Sequence, residues 1–118
     1  MFQKLALLGL AGAAGTLARY GLTGLMQRLA GPGFPWGTFA VNIIGSFAAG
    51  FLWTFFSARA NIDPTVRIVV LVGFMGAFTT FSSLMLETGQ MVRDAEWIRA
   101  VGNVALHNFI GFMCVLAG

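Results

Sequence analysis

Residues 73–87 read GFMGAFTTFSSLMLE, and this stretch decides how the rest of the chain is organised. It lies within an otherwise apolar run, yet Gly73, Gly76, Thr79, Thr80, Ser82 and Ser83 crowd into it. Glycine loosens a helix, and neighbouring threonines offer the backbone competing hydrogen bonds. In hydrocarbon, irregular backbone survives only when buried in protein or lining a cavity. The stretch therefore predicts a membrane helix broken near its middle, with main-chain carbonyls released to hold a buried cation.

Composition agrees with a membrane setting. The chain has 118 residues, 58% hydrophobic and only 9% charged, with a mean hydropathy of +0.83. A soluble domain carries roughly 25% charged residues. The formal net charge of +3 comes from scattered Arg and Lys; no basic run offers a nucleic-acid surface, so no nucleic-acid partner is expected. The single Cys114 forms no internal disulfide and sits in an apolar run, as a packing residue would. The amino-terminal apolar stretch runs on through Arg19 with no cleavage site followed by a soluble domain, so it reads as a first span and not as a signal peptide.

Four spans fit the hydropathy, at about 5–27, 37–57, 65–91 and 98–116, in one domain covering residues 1–118. The first repeats Gly9, Gly12 and Gly15, small residues that let helices approach closely in lipid. It also carries Arg19, which must either snorkel to the interface or find a polar partner in the bundle. Gly31 to Pro35 is a turn by composition, followed by an interfacial Trp36. The second span aligns Thr38, Asn42 and Ser46 four residues apart, one polar stripe on an apolar helix. Asn42, near mid-membrane, is either helix-to-helix glue or pore lining. Asp63-Pro64 predicts a helix start, Asp as cap and Pro in the first turn. Glu87 lies about a turn and a half beyond Phe81, at a depth where acids are functional, or else at the interface. Arg93 to Glu96 reads as a charged turn, and the fourth span carries Asn103, His107 and Asn108. A lone helical His is more often a packing residue than a metal ligand.

Basic flanks give almost no orientation bias. Lys4, Arg59 and Arg67 fall on one side, and Arg28, Arg93 and Arg99 on the other, with Arg19 nearer the second. A chain without bias can insert both ways, and two copies can pair antiparallel. There is no Ser/His/Asp set, no phosphate loop and no metal cluster, so the chain reads as a conduit for a small ion and not as an enzyme. Donors from Asn, Ser and Thr, with the positive edge of a Phe ring, favour an anion.

The run Gly76-Ala-Phe-Thr-Thr-Phe-Ser-Ser83 resembles the Gly-Gly-x-Thr-Thr-Phe-Ser-Thr-Phe signature of the small fluoride channels, the Fluc/CrcB family. Gly15-x-x-x-Arg19-Tyr20, Gly37-Thr38-x-x-Val41-Asn42-x-x-Gly45, and Glu87 six residues after Phe81 agree with the same family. The resemblance implies an all-α, dual-topology antiparallel homodimer in the cytoplasmic (inner) membrane, with two fluoride pores and a central structural sodium ion. It implies that Phe81 presents its ring edge to fluoride and that Asn42 lines the pore as a donor. Ser82, Ser83 and Glu87 would form a polar track with Thr38 nearby, and Arg19 a positive vestibule. Carbonyls of Gly76 and Thr79, doubled by a second copy, would hold the sodium. Leu84 stands where the signature has its second Phe. Asn103 and His107 stand where the family's last helix often has Tyr and Ser; a His there adds a donor and a route to pH dependence. The alternative to a homodimer is pairing with a different, complementary subunit. Two competing readings are a small multidrug-type exporter, which wants an acid in the first span where this chain has Arg19, and a non-conducting scaffold, which leaves the Thr/Ser cluster unexplained.

Overall fold

The computed structural model describes residues 1–118. It is all-helical: α1 (Phe2–Ala30), α2 (Trp36–Ser57), α3 (Pro64–Ile68), a π-helical segment (Val69–Met75), α4 (Gly76–Phe78), α5 (Phe81–Arg93) and α6 (Trp97–Ala117). Four helical segments are long and apolar enough to cross a membrane: Phe2–Ala30, Trp36–Ser57, Pro64–Arg93 and Trp97–Ala117. They run a few residues longer than the sequence-based limits. At 1.5 Å per residue, the 29 residues of α1 exceed the roughly 30 Å hydrocarbon thickness.

The connections follow from local chemistry. After α1 the chain turns at Gly31, whose φ of 84° suits glycine. Gln27 braces that turn: its Nε2 donates to the carbonyls of Gly31 (2.6 Å) and Phe34 (3.1 Å), and its Oε1 accepts from the Gly37 N–H (3.3 Å). Between α2 and α3, one guanidinium nitrogen of Arg67 donates to the carbonyls of Phe56 (2.6 Å) and Arg59 (2.9 Å), tying the start of the third span to the end of α2 and the connector after it. Asp63 caps α3 by accepting from the Thr65 N–H at 2.8 Å, with Pro64 following it.

Packing is tight at few places. α2 lies along α6, and α1 lies along the π segment and α4. The buried core is small, centred on Val41, Met75 and Phe78. Large apolar side chains such as Leu17, Phe109 and Phe112 stay outside, as expected where the surroundings are lipid or protein. Two of the glycines that permit close approach lie against the third span: a Cβ on Gly15 would strike the Phe74 carbonyl and come within 3.2 Å of the Ala77 Cβ, and one on Gly45 would strike the Thr79 methyl and come within 3.2 Å of the Phe78 ring. Both contacts press a neighbouring helix against the third span beside its interruption.

Candidate functional site

The third span is interrupted at Thr79 and Thr80. Thr79 (φ −88°, ψ 158°) and Thr80 (φ −148°, ψ 109°) are extended, so the helical ladder ends at Phe78 and restarts at Phe81. In an unbroken helix the Thr80 N–H would close on the Gly76 carbonyl. Here it donates to Asn42 Oδ1 at 2.8 Å, while Asn42 Nδ2 donates to the Thr80 carbonyl at 3.1 Å. The side-chain amide thus takes the place of the helical acceptor that the Thr80 N–H lacks. The Thr80 hydroxyl caps α5: it accepts from the Ser83 N–H (3.2 Å) and donates to the Ser83 hydroxyl (3.0 Å). Thr79 stays tied to the preceding turn, its hydroxyl donating to the Met75 carbonyl at 3.0 Å. Just upstream, the π segment carries Gly73 against Ala11 and Leu8 of α1; such wide turns recur at functional sites, and the sequence reading did not anticipate this one.

Arg19 turns inward. Its Nε donates to the Ala77 carbonyl at 3.0 Å, so of the two options open to it the structure shows a partner inside the bundle. It neutralises one acceptor that the interruption frees.

A cavity of about 420 Å³ opens on the side of the bundle at this point, bordered by Asn42, Ser46, Gly76, Thr79, Thr80, Phe81, Leu84, His107 and Asn108 among others. The structure therefore brings Asn42, Phe81, Leu84, Gly76, Thr79 and His107 together. Phe81 is 73% exposed and faces outward from the chain, while Leu84 is buried at 5%. Ser82 is exposed, and Ser83 and Glu87 are half-buried and one turn apart on α5. Ser82 thus lies off the face that Ser83 and Glu87 share.

A second polar cluster is buried between α2, α5 and α6. Thr38, 4% exposed, donates to Glu87 Oε1 at 2.5 Å. Asn103, fully buried, donates to the Thr88 hydroxyl at 3.0 Å. His107 Nδ1 meets the Asn103 carbonyl at 2.9 Å, and the Phe39 ring stands edge-on to the imidazole, 5.1 Å between centroids. Glu87 Oε2, Asn103 Oδ1 and His107 Nε2 are buried without a hydrogen-bond partner in the chain. Thr80 and Asn103 stood out in the sequence without an assigned site role, and Thr88 did not stand out. Thr80 was legible from its Thr-Thr context; Thr88 and Asn103 meet only across packed helices.

These features define a class: a multi-pass helical membrane protein with a discontinuous span, whose released backbone and buried polar side chains collect at the discontinuity, as in proteins that carry small ions or solutes. More particularly, the chain belongs to the CrcB-like family, whose model (CrcB-like protein, Camphor Resistance) matches residues 6–118. Relatives include proteins named fluoride-specific ion channel FluC from Desulforapulum autotrophicum, 54% identical over 118 residues, and from Nitrosococcus oceani, 49% identical over 118 residues. A third, from Solidesulfovibrio magneticus, is 44% identical. Each of these alignments covers all of this chain and 94% of the relative.

Proposed function

We propose that this protein is a fluoride-selective channel that lets fluoride leave passively across the cytoplasmic membrane and so lowers its toxic intracellular level. The relatives bearing that name align over the full chain, and a channel carries no chemistry of its own, in keeping with a donor-rich interior. The observation that carries the reading is the interruption at Thr79 and Thr80, bordered by the Asn42 amide and the exposed Phe81 ring. Amide and hydroxyl donors replace part of an anion's hydration shell, and a ring edge adds a positive face.

The working unit is an antiparallel homodimer. A cavity lined by Asn42, Ser46, Thr79 and Thr80 that opens sideways would expose polar groups to lipid; in hydrocarbon such a surface is covered by protein. The near balance of Lys4, Arg59 and Arg67 against Arg28, Arg93 and Arg99 removes the bias that would force one orientation. A second copy placed there adds its own interruption to the first. The Gly76 carbonyl, released because the Thr80 N–H goes to Asn42, fits the hard oxygen donors that a sodium ion takes. Gly76 and Thr79 of both copies would hold that ion, which supplies charge to join the two interruptions.

In this reading Asn42, Phe81, Ser82, Ser83 and Leu84 border the fluoride route, Thr38 and Glu87 continue it, His107 flanks it, and Arg19 lends positive charge from behind the Ala77 carbonyl. Purified protein in liposomes, read with a fluoride electrode, should release fluoride quickly without a proton gradient and reject chloride. A requirement for a proton gradient would indicate an exporter, and no release would indicate a scaffold. Labelling a cysteine at either terminus from both sides of sealed vesicles should find each terminus on both faces.

A further inference from the structure

His107 is held from two directions. Its Nδ1 lies 2.9 Å from the Asn103 carbonyl, an acceptor only, so Nδ1 carries the hydrogen. Phe39 packs against the ring at an interplanar angle of 87°. The other nitrogen, Nε2, is buried without a partner, and the residue borders the cavity at the interruption. In the neutral ring Nε2 is therefore an acceptor. Asn103 Oδ1 and an ionised Glu87 Oε2 are unpartnered acceptors in the same buried cluster. None of these three acceptors can bind an anion.

One proton changes this. Added at Nε2, it turns a fixed acceptor into a charged donor, leaving Nδ1 on Asn103. We propose that His107 is a proton-operated fluoride-binding residue: protonated at Nε2 it donates to fluoride, and neutral it does not. The proposal rests on the channel reading and adds to it a regulation that composition alone does not require. The groups able to compete are few. α2 contains no titratable side chain. α5 contributes Glu87, tied to Thr38, and Arg93 at its far end. On α6, Arg99 is paired with Glu96 at 3.0 Å near the exposed end, and Cys114 lies two turns beyond His107. Glu87 is thus the one acid facing this site, and the test must separate it from His107.

The sign is unambiguous: lowering the pH protonates the ring and increases fluoride passage. Efflux from liposomes between pH 5.5 and 8, corrected for protein-free vesicles, should be about tenfold faster at the acid end, the step expected when a charge-assisted hydrogen bond replaces a missing one. His107→Ala and His107→Gln should flatten the profile, with His107→Gln the faster because its amide still donates. Glu87→Gln should keep the slope. A slope that survives in His107→Ala but vanishes in Glu87→Gln would overturn the proposal.

His107 is the only histidine, so ¹⁵N-histidine labelling yields one ring to follow by NMR. At a fixed pH of 6.5, potassium fluoride should raise the protonated fraction above that in potassium chloride. An unchanged fraction would also overturn the proposal. This readout needs no flux, so wild type that passes no fluoride at any pH would defeat the channel reading while the ring still reports on the proton site.

Discussion

The Asn42 carboxamide and the Thr80 peptide form a two-way pair: Nδ2 donates to the Thr80 carbonyl at 3.1 Å, and the Thr80 N–H donates to Oδ1 at 2.8 Å. One side chain of α2 thereby completes the backbone of a third span that has left its helix. Extended peptide in a membrane costs several kcal/mol for each unsatisfied group. This pair removes that cost at one residue and fixes where the interruption falls.

Replacing Asn42 by Ala should therefore do more than remove a donor from the cavity. It leaves the half-buried Thr80 N–H without a partner, at about 1–3 kcal/mol. Chemical unfolding in detergent should show a loss of about 1–3 kcal/mol, together with loss of fluoride efflux. Asn42→Asp keeps an acceptor for the Thr80 N–H but sets an oxygen against its carbonyl, so it should also fail. An Asn42→Ala protein as stable as wild type would mean that the pair is dispensable.

The Thr80 hydroxyl has a different task, capping α5 at the Ser83 N–H. Thr80→Ser should retain near wild-type stability, and Thr80→Ala should lose about 1 kcal/mol, the usual worth of such a cap. Thermal unfolding of the two variants side by side distinguishes them.

Gly45 lies where a side chain would meet Thr79 and Phe78. Gly45→Ala should overpack the interruption and cost about 1–3 kcal/mol, with efflux reduced. Gly21, with nothing near its hypothetical Cβ, is the control. There Ala should be neutral, or stabilising by up to about 1 kcal/mol through helix propensity. Equal effects at the two sites would contradict the packing described.

Thr38→Val keeps shape and removes the hydroxyl that donates to Glu87. The carboxyl then has no partner in the chain for either oxygen. Efflux should fall by about tenfold or more, a loss of 1–3 kcal/mol in the path, while Thr38→Ser should conduct. Glu87→Gln in the Thr38→Val background should restore part of the rate, because a neutral amide is cheaper to leave buried than a carboxylate.

Removing sodium should loosen the proposed dimer. Exchanging sodium for N-methylglucamine, with cross-linking as the readout, should lower the dimeric fraction if the Gly76 and Thr79 carbonyls join the two copies. A dimer indifferent to sodium would separate oligomerisation from cation binding.

Much of this architecture was legible from residue order. Sparse charge and long apolar runs determined four helical spans, because a membrane leaves the backbone no other economical way to satisfy itself. Gly76, Thr79 and Thr80 in an apolar run determined that the third span would break, and Asp63-Pro64 where it would start. Tertiary structure alone decided what completes the break. That Asn42 clamps Thr80, that Arg19 turns inward to Ala77, and that Asn103 links Thr88 to His107 all depend on helices brought together from 15 to 58 residues apart in the chain. Hydrogen-bond partners across packed helices leave no periodic trace in a sequence, because their spacing is set by how two faces meet and not by the 3.6-residue repeat of either one.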